Sequence, residues 1–114
     1  MEINVEQENT VRIISLSGRL DIINAEAFEN TIIEYIDNLN ENKMLIDCES
    51  LSFISSAGLR VFMIALKKMK AKLGKLVLTG MNDSNRKVFQ ITGYEKLFTI
   101  AESKEEGLSL FYLS

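Results

Sequence analysis

Strand-like and helix-like stretches alternate along this chain, and the alternation limits the folds open to it. Apolar patterning predicts strands near residues 3–7, 10–17, 43–48, 75–79 and 97–101, and helices starting near residues 24, 57, 82 and 103. Strands followed by helices form right-handed parallel crossovers, and the opening pair of strands forms an antiparallel hairpin. The predicted fold is therefore α/β, a small mixed sheet of four to five strands with about four helices.

Local signals set the expected element boundaries. The two adjacent isoleucines Ile13 and Ile14 predict a strand that is buried on both faces, which Gly18 should end. Residues 8–9 should form the hairpin turn. Asn24 is the expected N-cap of the first helix, and Gly74 is the expected C-terminal stop of the second.

Length and composition indicate one soluble domain over residues 1–114. The net charge of −3 gives no basic footprint for nucleic acid, and the longest apolar run, residues 61–66, is too short to cross a membrane. Cys48 is the only cysteine, so no internal disulfide can form and a reducing compartment fits. We expect a cytoplasmic protein.

Most catalytic chemistry is excluded by what the sequence lacks. Without histidine there is no Ser-His-Asp triad and little basis for a zinc site. Gly74 and Gly80 form no phosphate-binding loop, so no nucleotide motif is present. Three acidic residues near strand ends or loops match no metal motif and are interpreted as capping and solvated groups: Asp21, Asp47 and Glu49. No enzyme activity and no cofactor are predicted.

Two serines stand where an apolar strand passes into the longest predicted helix. A helix start offers unpaired N–H groups and the positive end of the dipole, which suit an oxygen or a phosphate. Ser55 and Ser56 either only cap this helix or also form the functional site. Gly58 lowers helix propensity in the first turn, so either the helix packs closely on the sheet or a partner approaches there.

The same helix divides into two faces. At about 100° per residue, the core side should contain Leu59, Phe62, Ala65, Leu66, Met69 and Leu73. Met63 and Ile64 fall outside that side, together with Arg60. Because this position is one to two turns beyond Ser56, we expect the three residues to join the serines in a partner-binding patch.

Three segments of the chain resemble STAS domains, and in particular the bacterial anti-sigma-factor antagonists. The central segment is residues 45–59 (LIDCESLSFISSAGL), and the flanking ones are residues 18–21 (GRLD) and 92–100 (TGYEKLFTI). They occur in the family's order and span nearly the whole chain. The resemblance implies the STAS fold.

The resemblance also implies a non-catalytic switch. Members of this group bind an anti-sigma factor that is a serine kinase. This binding frees the sigma factor that the anti-sigma factor had held. The kinase phosphorylates a serine two residues before the motif glycine, here Ser56, and a metal-dependent serine phosphatase removes the phosphate. The residues expected to bind the partner are Asp21, Ser55, Ser56, Ala57, Gly58, Arg60, Met63 and Ile64.

The central motif departs from the commonest pattern of the family, Asp-Ser-Ser-Gly. Ser55 stands in place of the aspartate and offers a second hydroxyl, so it is the alternative acceptor, and Ala57 replaces the second serine. Two other functions remain open: a STAS scaffold or transport-accessory module that is never phosphorylated, and a small nucleotide-binding domain.

Overall fold

A computed structural model describes residues 1–112, in which a five-stranded mixed sheet carries helices on both faces. Residues 113 and 114, which the single-domain prediction includes, lie outside the described part. The strands are β1 (Glu2–Glu8), β2 (Val11–Leu20), β3 (Lys43–Ile54), β4 (Lys75–Thr79) and β5 (Thr99–Ala101). The α-helices are α1 (Ile22–Ile32), α2 (Ser56–Ala71), α3 (Asp83–Ile91) and α4 (Lys104–Ser109). The predicted fold class is confirmed.

The order of the strands in the sheet follows their order in the chain. β1 pairs antiparallel with β2, and every later neighbour is parallel. Ile13 and Ile14 of β2 face opposite sides of the sheet and are both buried, as predicted. The carboxyl ends of β2 and β3 therefore lie side by side, and each passes directly into a helix.

Two apolar clusters hold the layers together. On one face, α1, α2 and α3 bury a cluster in which Phe28, Phe62 and Phe89 meet edge to face, with ring centroids 5.1 and 5.6 Å apart. On the other face, α4 covers a smaller cluster that includes Leu45 and Val77. Cys48 is fully buried in β3, so its interpretation as a small core residue is confirmed.

Two boundaries near the start of the chain differ from the predictions. The hairpin turn is formed by Asn9 and Thr10, because Glu8 is already paired with Val11. Gly18 does not end β2: it adopts φ of 94° at a shift in register, and the strand continues to Leu20. Glycine permits such an irregularity within a strand, and the sequence prediction interpreted it as the end of the strand.

The predicted cap of α1 was also wrong. The carboxylate of Asp21 accepts a hydrogen bond from the N–H of Asn24 at 2.9 Å, so α1 begins at Ile22 rather than after Asn24. Its exposed first turn breaks the apolar periodicity from which the helix start was inferred. Beyond α1, residues Ile33–Asn38 continue as a π-helix.

The end of α2 differs in conformation. Leu73, expected on the core side, is 94% exposed and takes the left-handed conformation with φ of 56°. Gly74 has no positive φ. A Cβ there would lie 2.7 Å from Met69 Sδ and 2.8 Å from the Asn42 carbonyl oxygen, so close packing is what requires glycine at this position.

Candidate functional site

The starts of α1 and α2 lie side by side at the carboxyl edge of the sheet. The N–H of Ser55 donates to the Leu20 carbonyl at 2.9 Å, which joins the two strand-to-helix connections. Each helix has its own side-chain cap, Asp21 for α1 and Ser55 for α2. This edge is where open α/β sheets place their binding sites.

The two serines at the start of α2 occupy different environments. Ser55 is half-buried, and its Oγ accepts a hydrogen bond from the N–H of Gly58 at 3.1 Å. Ser56 is the first helical residue and is exposed, as predicted. Its hydroxyl makes no hydrogen bond within residues 1–112. One hydroxyl thus completes the helix cap, and the other is accessible at the positive end of the helix.

Gly58 lies beneath this surface rather than on it. It is buried, and a Cβ at this position would lie 2.5 Å from Leu20 Cγ and 3.1 Å from the Leu20 carbonyl oxygen. Of the two explanations for this glycine, the structure supports close packing of the helix start on β2. Gly58 can therefore act on a partner only through the position of its neighbours.

The remaining predicted residues follow the first two turns of α2. Ala57 is half-buried, and Arg60 is exposed, with its guanidinium 3.8 Å from the Glu29 carboxylate of α1. Met63 and Ile64 are both half-buried, and Met63 packs partly against the core. At about 100° per residue, Ser56, Arg60 and Met63 lie within about 60° of one another on the outward face. Ile64 lies about 40° beyond Arg60, on the side away from Met63.

Three residues that the sequence did not single out join the site. Ile22 and Ile23 in the first turn of α1 and Phe53 near the end of β3 line an open groove together with Asp21 and Ser55. The groove has a volume of about 520 Å³, and its walls are almost wholly apolar. A partial signal was present in the sequence: Ile22 and Ile23 directly follow Asp21, a residue type that often caps a helix, which places both in a first turn.

Of the two other acidic residues considered in the sequence, Asp47 makes structural hydrogen bonds and Glu49 is exposed. One carboxylate oxygen of Asp47 accepts from the Thr79 hydroxyl at 3.3 Å and from the Glu49 N–H at 3.2 Å. Within residues 1–112, no group of three or more histidine, cysteine, aspartate or glutamate side chains is placed to hold a metal ion. Over the same residues, no helix is long and apolar enough to cross a bilayer.

Comparison with known proteins matches the chain to one family and one architecture. The family described as STAS domain matches residues 2–107. BtrV of Bordetella bronchiseptica, whose name assigns it provisionally as an anti-sigma factor antagonist, is 32% identical over 111 residues, covering 97% of this chain and 95% of BtrV.

Two solved structures share the fold. A Thermotoga maritima protein, also assigned provisionally as an anti-sigma factor antagonist, superposes with a TM-score of 0.89 at 21% identity, covering 94% of this chain and 92% of that one. The Bacillus cell fate determinant SpoIIAA in its phosphorylated form superposes with a TM-score of 0.77 at 24% identity, covering 96% and 99%.

Proposed function

Because the chain belongs to the STAS domain family, we propose that it is an anti-sigma factor antagonist that is switched by phosphorylation at Ser56. In the unmodified state it binds an anti-sigma factor serine kinase, which releases a sigma factor. A metal-dependent serine phosphatase restores that state. The role is that of a regulatory binding protein without catalysis, as the names of BtrV and its relatives support.

The observation that carries the choice of Ser56 is the contrast between the two serines. The Ser55 hydroxyl is half-buried and bonded to Gly58, so modification would cost a helix cap worth about 1 kcal/mol. Ser56 is exposed, so a kinase can reach it without disturbing a hydrogen bond. SpoIIAA, a protein of the same fold, is known in a phosphorylated form, which supports such a modification.

A phosphate at this position should act on binding and leave the fold intact. It adds about −1.5 to −2 charges and three acceptor oxygens. The start of α2 favours an anion, because its N–H groups and dipole are positive there. A docked partner would instead have to remove water from a dianion, which is costly in an interface.

The proposed partner surface is centred on Ser56. It comprises the accessible residues at the starts of α1 and α2 and along the outward face of α2: Asp21, Ser55, Ser56, Ala57, Arg60, Met63 and Ile64. Met63 and Ile64 supply apolar contact, and Arg60 supplies a cation. Gly58 supports this surface from below.

The first prediction tests the switch with a purified histidine-kinase-like serine kinase from the same organism and ATP. Ser56→Ala should abolish labelling, whereas the matched control Ser55→Ala should lose helix-cap stability and keep its label. Ser56→Asp should weaken kinase binding about tenfold, or about 1.4 kcal/mol, while the melting temperature stays nearly unchanged. Peptide mass spectrometry locates the phosphate.

Two outcomes would contradict this assignment. A phosphate found on Ser55 would exchange the roles of the two serines. Binding to a partner protein without any labelling by the kinases of the organism would favour the alternative, a STAS scaffold or transport-accessory module. Because Ser55 replaces the family's usual aspartate, the experiment should test this non-phosphorylated alternative directly.

A further inference from the structure

The groove beside Ser56 exposes more apolar surface than the fold requires. Ile22 is 76% exposed, Ile23 is 84% exposed and Phe53 is 38% exposed, although all three are large apolar side chains. They are contiguous, since they line one concavity. Scattered exposed apolar residues are ordinary on a protein surface, but a contiguous concave set typically marks an interaction site.

The groove is held open by its surroundings. Ile22 and Ile23 are the first two residues of α1, and the buried face of that helix is formed instead by Ala25, Phe28 and Ile32. The Arg19 guanidinium lies 4.4 Å from the centroid of the Phe53 ring, so one face of the ring is already covered. The Phe53 ring is therefore restrained before any partner arrives, which lowers the entropy cost of docking against it.

The position and charge of the neighbouring surface indicate the occupant. Ser55 belongs both to the groove and to the start of α2, so the groove is continuous with the proposed partner surface around Ser56. Two basic residues flank this surface: Arg60 lies on the outward face of α2 one turn beyond Ser56, and Arg19 lies over the Phe53 ring of the groove. A partner that covers both regions must combine an apolar anchor with an acidic rim.

We propose that the groove receives an apolar side chain of the anti-sigma factor kinase, and that acidic groups around that side chain face Arg19 and Arg60. This inference rests on the proposed function and specifies its interface. The phosphate on Ser56 then has a direct physical effect, because it places a dianion at the rim of the apolar contact and among the groups that would face the partner's acidic residues.

The second prediction tests the groove with a matched pair of variants. Ile22 and Ile91 have the same exposure, 76%, and each lies at an end of a helix, but Ile91 is the last residue of α3 and is not part of the groove. With both proteins purified and this chain unphosphorylated, Ile22→Ser should weaken its binding to the kinase at least tenfold, measured by calorimetry. Ile91→Ser should change the affinity less than twofold. Ile23→Thr, which keeps the β-branch, provides a second groove variant should Ile22→Ser not fold.

The other outcomes are distinguishable. If Ile22→Ser and Ile23→Thr both fold and bind the kinase normally, the groove is not the docking site. The effect of Ser56→Asp on kinase binding would still test the proposed function separately. Failure of the wild-type chain to bind any such kinase would overturn both. A wild-type dimer in sedimentation that Ile22→Ser dissociates, with kinase binding unaffected, would assign the groove to a second copy of this chain and overturn the kinase as occupant.

Discussion

Ser55 and Ser56 differ by one position in the chain, and that one position separates a structural hydroxyl from an accessible one. The N-cap residue has extended backbone angles, φ of −82° and ψ of 171°, which turn its side chain back towards the N–H of Gly58. The next residue is already helical and points outward. The geometry of a helix start therefore makes Ser56 the accessible acceptor even though both residues are serine.

Just beyond the other end of α2, Leu73 adopts a backbone conformation that costs free energy. The N–H of Leu73 donates to the Lys70 carbonyl at 3.1 Å, and the N–H of Gly74 donates to the Met69 carbonyl at 2.8 Å. This is a Schellman ending, in which glycine usually holds the left-handed position. Here leucine holds it, with φ of 56° and a side chain that is 94% exposed.

The third prediction follows from this ending. Leu73→Gly should stabilise the protein by about 0.5–1 kcal/mol, because relief of left-handed strain exceeds the extra entropy that glycine loses on folding. The melting temperature should rise by about 2–5 °C in a thermal scan. Leu73→Ala keeps the strain and should change stability little. A destabilised Leu73→Gly would mean that the exposed side chain makes a contact worth more than the strain.

At the scale of elements, the site depends on how closely α2 approaches β2. The helix can begin directly above Leu20 only because position 58 has no side chain. Leu20 is fully buried, so it has little freedom to move aside. The close contact holds the starts of α1 and α2 together, and hence positions the groove next to Ser56.

The fourth prediction is that Gly58→Ala destabilises the protein by about 1–3 kcal/mol in urea unfolding, although alanine is the better helix former. The added methyl would overlap Leu20. In a Leu20→Ala background the same change should cost much less, because the overlapping side chain is gone. If Gly58→Ala were stabilising in the wild-type background, the close packing described here would be wrong.

At the scale of the whole molecule, β3 is the centre of the structure. It is the middle strand of the sheet and lies between the two apolar clusters, and its last residues lead into the site. Cys48 of this strand is fully buried. Burial, with a smaller contribution from the charge of Asp47, raises the pKa of its thiol far above the usual value, so the thiol stays protonated at neutral pH.

The fifth prediction uses that thiol to report global unfolding. A thiol reagent such as dithionitrobenzoate needs both access and a thiolate, so it should not label native Cys48 at pH 8. Labelling in urea should follow the unfolding curve measured by circular dichroism. The control, Cys48→Ala with Glu105→Cys on the exposed side of α4, should react at once. Rapid labelling of the native wild type would show that β3 opens without global unfolding.

The sequence by itself determined the α/β class, the mixed sheet, the start of α2 at the serines and the STAS family. These features depend on local information: hydrophobic period, capping residues and a contiguous motif. Where local signals were ambiguous, as at Gly18 and Asn24, the expected boundaries were wrong, because glycine also permits an irregularity within a strand and asparagine also occurs inside the first turn of a helix.

Only the tertiary structure decided which residues lie together at the site. Ile22, Ile23 and Phe53 are separated in the chain by an entire helix and strand, and they meet because β2 and β3 are parallel neighbours whose ends coincide. Their exposure depends on which side of each element the core occupies. Likewise, position 58 requires glycine because of its contact with Leu20, which lies 38 positions away in the chain. Contacts of this kind depend on the packing of whole elements, so hydrophobic periodicity could not predict them.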